Sequence, residues 1–203
     1  MDSQSYLNEI SASVRPQKKS KFSFLKSKFF LVGTICVVGL ILMAVIGAIL
    51  GGGRNGVKEQ AYSLQYRLSN TSKTISDYQK YVKSSDLRSS SASLNSIISN
   101  TNRDLSNYLE ETYKKSEKEN EKLKNKEDEH NSELNTELFE ARINGILDRI
   151  YAHKMDYEIS LILSMEKKLY DATNNESLKT LLNTSYDSLV NLQEKFESFS
   201  EGK

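Results

Sequence analysis

Two histidines and a scatter of carboxylates are the groups through which this chain could hold a metal or move a proton. Glu127 and His130 stand three residues apart, a spacing that puts both side chains on one helical face. In di-iron helical bundles such Glu-x-x-His units hold the metal, but two units and two further glutamates are required. The other histidine, His153, has Ile150 where the second glutamate would stand, and His130 falls at an expected turn. The spacing is therefore read as coincidence. His153 lies between Ile150 and Tyr157 on the expected inward side of a helix. An ordinary pKa of about 6.5 would suit a pH switch there, although such a histidine is more often simply hydrogen-bonded at a core edge.

No glycine-rich phosphate loop, nucleophile elbow or HExxH zinc motif is present. The single cysteine, Cys36, sits inside an apolar run, so neither a disulfide framework nor a thiolate metal site is expected elsewhere. With 28 basic residues against 27 acidic ones, the chain lacks the charge excess of a nucleic-acid binder. The reading is a non-enzymatic protein with no cofactor and no metal.

The elements that must position these residues begin with a membrane span. Residues 29–50, FFLVGTICVVGLILMAVIGAIL, carry no charge. As a helix they would reach about 33 Å, enough for a hydrocarbon core of about 30 Å. The run is longer than a signal-peptide core and its leader is long, so an uncleaved signal-anchor is expected. Arg15, Lys18, Lys19, Lys21, Lys26 and Lys28 precede it, whereas Arg54, Lys58 and Arg67 follow within a similar distance. This asymmetry predicts a cytoplasmic amino terminus and an extracytoplasmic domain on a cell membrane, bacterial by its lack of disulfides. Lys18, Lys19, Lys21, Lys26 and Lys28 are the candidate headgroup contacts of a disordered basic tail, residues 1–28. Gly47 and Gly51 have the small-xxx-small spacing of packed transmembrane helices, a candidate homo-oligomer contact. Residues 51–56 form a glycine-rich linker.

Residues 57–199 contain no proline and a single glycine, Gly145, and read as long helices. Three heptad stripes are clear: Val57, Ala61, Leu64, Leu68, Thr71, Ile75, Tyr78 and Val82; Leu87, Ser91, Leu94, Ile98, Thr101, Leu105, Tyr108 and Thr112; and Leu178, Leu182, Ser185, Leu189, Leu192, Phe196 and Phe199. Ser85 or Asp86 is expected to cap the second stretch, and Asn175 the last. A fourth stripe, Phe139, Ile143, Ile146, Ile150, Tyr157 and Leu161, is expected to face inward, broadened by Leu147, Ile162 and Met165. Residues 113–129 carry almost no aliphatic side chain and suit a solvated helix or a charged loop equally.

The predicted fold is all-α: a single transmembrane helix followed by an antiparallel four-helix bundle with helices at about 57–83, 86–128, 132–171 and 175–199, then a tail at 200–203. The two long helices would project as a charged hairpin arm turning near His130, with Gly145 as a candidate hinge. An upright bundle would drive that arm into the bilayer, so the domain is expected to lean. Tyr62, Tyr66 and Tyr81 fall beside the first stripe and suit either a partner surface or the flank of a wide packing face. The function expected is a single-pass, membrane-anchored surface protein whose helical ectodomain binds another protein or scaffolds an envelope. The alternative is a ligand-sensing bundle without an output domain of its own. No motif singles out a family.

Overall fold

Heptad stripes without breakers fold here into helices of nearly equal length. The computed structural model describes residues 54–113 and 117–200. The chain divides into two units, Met1–Ile49 and Leu50–Lys203, and the described residues belong to the second. The apolar run at 29–50, the lysines Lys18, Lys19, Lys21, Lys26 and Lys28, and the Gly47/Gly51 pair lie outside the described residues. Among the described residues, no helix is long and apolar enough to cross a membrane.

Five α-helices follow one another: α1 (Arg54–Tyr78), α2 (Ser85–Thr112), α3 (Glu117–Ile143), α4 (Leu147–Ala172) and α5 (Glu176–Ser200). A 3-10 turn, Gln79–Tyr81, closes α1. No strand occurs among the described residues. α1 packs on α2, α3 and α4, α4 also packs on α3 and α5, and α5 also packs on α2. Helices α1, α2, α5 and α4 therefore close a four-membered ring, and α3 covers the seam between α1 and α4. Ser63 pairs with Glu127 and Thr74 with Asn131, so α1 and α3 run in the same direction. Thr101 meets Ser185 across an antiparallel α2–α5 contact.

Three stripes are buried over their central turns, although Thr112 at the end of the second is exposed and Leu109 is buried instead. Leu64, Leu68 and Ile75 of α1, Leu94, Ile98 and Leu105 of α2, and Leu182, Leu189 and Phe196 of α5 are all buried. Of the hydroxyl residues within them, Ser91 is satisfied locally: its Oγ donates to the Leu87 carbonyl at 2.7 Å, the back-bond a helix offers such residues. Asn175 caps α5, its Oδ1 accepting from the Leu178 N–H at 2.9 Å. α2 is capped by Ser84, one residue earlier than expected, through a 3.3 Å bond from the Leu87 N–H.

The middle of the chain departs from expectation. Among the described residues no long charged hairpin projects. Instead α2 stops at Thr112, with Tyr113 extended at φ −126°. α3 then runs unbroken past His130, where a turn was expected. α3 ends at Gly145, whose φ of +73° is the left-handed conformation that glycine adopts without steric cost. The Gly145 N–H donates to the Arg142 carbonyl and the Ile146 N–H to the Ala141 carbonyl, the paired bonds of a Schellman stop. The expected helices at 86–128 and 132–171 are thus three helices, and the charged middle packs on the bundle rather than leaving it. With no arm, the geometric reason for a leaning domain disappears. Glu127 and Asp128, in the stretch without an aliphatic stripe, meet a polar surface of α1.

The stop also resets the helical phase. Phe139, Ile143, Ile146 and Tyr157, expected to face inward, are exposed. His153 is exposed as well. The buried positions are Leu134, Leu138 and Ala141 of α3, then Leu147, Tyr151, Met155, Ile159 and Ile162 of α4. A 3.6-residue count carried across Gly145 drifts off the buried face: Leu147 and Ile162 are buried as expected, while Phe139, Ile143, Ile146 and Tyr157 are not.

Candidate functional site

Polar residues buried in helix seams form two separate groups, both reaching α4. The first lies where α3 covers α1 and α4. Ser63, Arg67 and Thr71 recur every four residues on one side of α1, the first two beside its apolar stripe and Thr71 within it. Glu127 and His130 share a face of α3, and Glu158 comes from α4. Arg67 is the hub. Its Nε lies 2.7 Å from Glu127 Oε2, and its Nη1 donates to Glu158 Oε2 at 3.2 Å. His130 Nε2 donates to Glu158 Oε1 at 2.6 Å. Ser63 Oγ donates to Glu127 Oε1 at 2.9 Å, and Thr71 Oγ1 to Glu158 Oε2 at 3.5 Å.

Glu158 is 1% exposed. Burial by itself would raise its pKa; the His130 hydrogen bond and the Arg67 guanidinium outweigh that, holding the carboxyl below its ordinary value. Glu127 and His130 do converge on the core, so the Glu-x-x-His spacing has structural meaning. The space a metal ion would need between Glu127 and Glu158 is taken by the Arg67 guanidinium. No cluster suited to a metal ion is found among the described residues. The seam continues with Asn70 donating to Asp128 at 3.1 Å, Thr74 to Asn131 at 2.8 Å and Tyr78 to the Asn135 carbonyl at 2.8 Å. Hydrogen bonds and charge thus help dock α3 on α1, beside the core residues Leu134, Leu138 and Ala141.

The second group spans α4, α5 and α2. Glu166 of α4 is also 1% exposed. Its Oε1 accepts from Ser185 Oγ of α5 at 2.6 Å, whereas its Oε2 has no partner. Burial pushes the carboxyl up to about 8, against the opposing effect of the Ser185 bond. Thr101 Oγ1 of α2 stands 2.9 Å from Ser185 Oγ and 3.0 Å from the Ile97 carbonyl, so its one proton has two acceptors.

The third feature is a tip on the surface. The turns after α1 and α3 meet at one end, where the Lys83 and Ser84 N–H groups donate to the Asp148 carboxylate at 2.8–3.2 Å. Tyr81, Phe139, Ile143 and Ile146 are exposed there. The Arg142 guanidinium lies 4.4 Å from the Tyr81 ring centre and 5.4 Å from that of Phe139. Tyr62 and Tyr66 do not join this surface. They stack at 6.5 Å with Tyr62 buried, on the flank of α1's packing face.

Arg67, Glu158 and Glu166 carry the buried chemistry and were not singled out by sequence reasoning. The usable signal was Asn144-Gly145, a helix stop that puts Glu158 and Glu166 on the stripe beginning at Leu147. Of the candidate residues named from sequence, Gly145 is placed at the α3–α4 stop. Compared with known protein families, curated proteins and solved structures, the chain has no match in any of the three.

Proposed function

We propose that this chain is a membrane-anchored, single-pass interaction protein, non-enzymatic, whose helical domain engages another protein on the outer side of a cell membrane. The anchor reading rests on the uncharged run at 29–50 and its basic flank. The observation that carries the interaction reading is the tip. Tyr81, Phe139, Ile143 and Ile146 expose large apolar side chains around a guanidinium, and Ile143 is 67% exposed. Aromatic residues and arginine are enriched where partners meet, and a grouped apolar surface is costly to leave in water. The tip stands at the opposite end of α1 from Arg54, about 37 Å along a 25-residue helix.

A photoreactive residue placed at 143 in the full-length chain, in its native cells, tests the reading. The expected result is one discrete cross-linked product at 143 that is missing when the probe stands at Glu129. Identical products at both positions, or none at 143, would overturn it. Protease added to intact cells is expected to remove the helical domain; complete protection would overturn the proposed topology.

A further inference from the structure

A groove of about 300 Å³ runs between α4 and α5, lined by Glu166, Lys167, Tyr170, Asp171, Asn183 and Tyr186 among others. Its chemistry is uneven. Lys167 Nζ is held by Asp171 Oδ2 at 3.0 Å, so that pair is already neutral. Lys179 Nζ lies over the Tyr170 ring at 5.7 Å, showing that this ring takes a cation on its face. Lys168, two residues beyond Glu166, projects from another face of α4. Glu166 is left with one oxygen bonded to Ser185 and the other bonded to nothing, although the residue is 1% exposed. A buried carboxyl in that state costs stability that leucine would spare. Among the described residues no cation reaches it.

We propose that the α4–α5 groove binds a small organic ammonium ion, with Glu166 Oε2 as its counter-oxygen and the Tyr170 and Tyr186 rings as its walls. The N⁺–H groups meet the buried carboxyl oxygen that lacks a donor, and the alkyl part lies against Leu182. A divalent metal is a poor fit, because it would need several more oxygen or nitrogen ligands than the open carboxyl supplies. An anion would meet a carboxyl. The site is separate from the tip and does not depend on the tip's function.

Binding has a proton signature. The unoccupied carboxyl holds its proton at neutral pH, because burial raises it to about 8. An ammonium ion arriving beside it favours the carboxylate, so the carboxyl O–H gives its proton to solvent as the N⁺–H···O⁻ bond forms. The other ionisable groups around the groove are Lys167, Tyr170 and Asp171 of α4 and Lys179 and Tyr186 of α5, while Asp104 of α2 lines the neighbouring groove that holds Ser185.

The test is calorimetric titration of the full-length chain in neutral detergent with n-butylammonium, repeated with 1-butanol as the uncharged isostere and in buffers of two ionisation enthalpies. Saturable binding of butylammonium alone, releasing close to one proton at pH 7, is expected. Glu166→Gln should weaken it at least tenfold and remove the proton release, and Tyr186→Leu should weaken it several-fold while keeping the release. The proposal is overturned by no saturable heat, by butanol binding as tightly, by binding without proton release, or by parent-like affinity in both variants.

Discussion

Glu158 and Glu166 stand eight residues apart on α4, equally buried, and take opposite charge states. Glu158 is met by Arg67 from α1 and His130 from α3, and its carboxyl is held below the ordinary range. Glu166 is met by a serine hydroxyl, and burial raises it to about 8. The same residue type, on the same helix and at the same depth, is ionised in one place and protonated in the other. Burial sets the cost of a charge; the neighbouring helix decides whether that cost is met.

The comparison breaks first at Arg67. Arg67→Met leaves Glu127 and Glu158 buried without their shared cation, and a loss of about 3–5 kcal/mol is expected in denaturant unfolding at pH 7. If the loss were under about 1 kcal/mol, the ion cluster would not be what docks α3.

Glu166→Gln should act in the opposite direction and with pH. Folded Glu166 keeps its proton to about pH 8, whereas an unfolded chain releases it near the ordinary value of 4.5. Its contribution to stability is therefore full below pH 4.5 and is lost as pH rises through 8, at up to about 1.4 kcal/mol per pH unit. The glutamine variant is expected to gain on the order of 5 kcal/mol over the parent at pH 8.5 and almost nothing at pH 4. A constant difference across that range would mean that the carboxyl does not titrate as described. Glu158 has the reverse sign: its contribution is present above the ordinary carboxylate range and is lost as pH falls through its lowered value.

A smaller effect sharpens the contrast. His130→Ala removes one hydrogen bond to a buried carboxylate and should cost about 1.5–3 kcal/mol, with Glu158 titrating at higher pH in the variant. Carboxyl-carbon NMR of Glu158 would check the second part. An unmoved titration would transfer the whole effect to Arg67.

The smallest is Gly145→Ala. Open space surrounds the added Cβ, so the expected cost is that of a left-handed backbone alone, about 1 kcal/mol. Hydrogen exchange should localise it to the end of α3, and a global effect on α2 and α5 would show that the stop organises more than its own helix.

The readable parts of the fold were those where periodicity ran uninterrupted. α1, α2 and α5 bury residues at steps of three and four, and each stripe lies within a single helix, so counting along the chain finds the core. α3 hid itself because its buried face is built from Glu127, His130, Asn131 and Asn135 as much as from leucine. Large apolar side chains at Phe139 and Ile143 pointed to the wrong side, since they serve the exposed tip. The Glu127–His130 spacing is visible, but its partner Arg67 lies far away in sequence, where it reads as a flanking charge of the span.

The amino-acid sequence by itself determined that the described residues, the charged middle aside, are built as long helices, because few breakers and steps of three and four admit little else. It also determined which faces of three helices would be buried. Tertiary structure alone decided that the charged middle returns as a fifth helix, because that depends on a polar surface assembled from α1 and α4. It decided likewise which buried glutamate is charged. A pKa is set by what stands within a few ångströms, and the neighbours of Glu158 and Glu166 are brought there by packing, not by order along the chain.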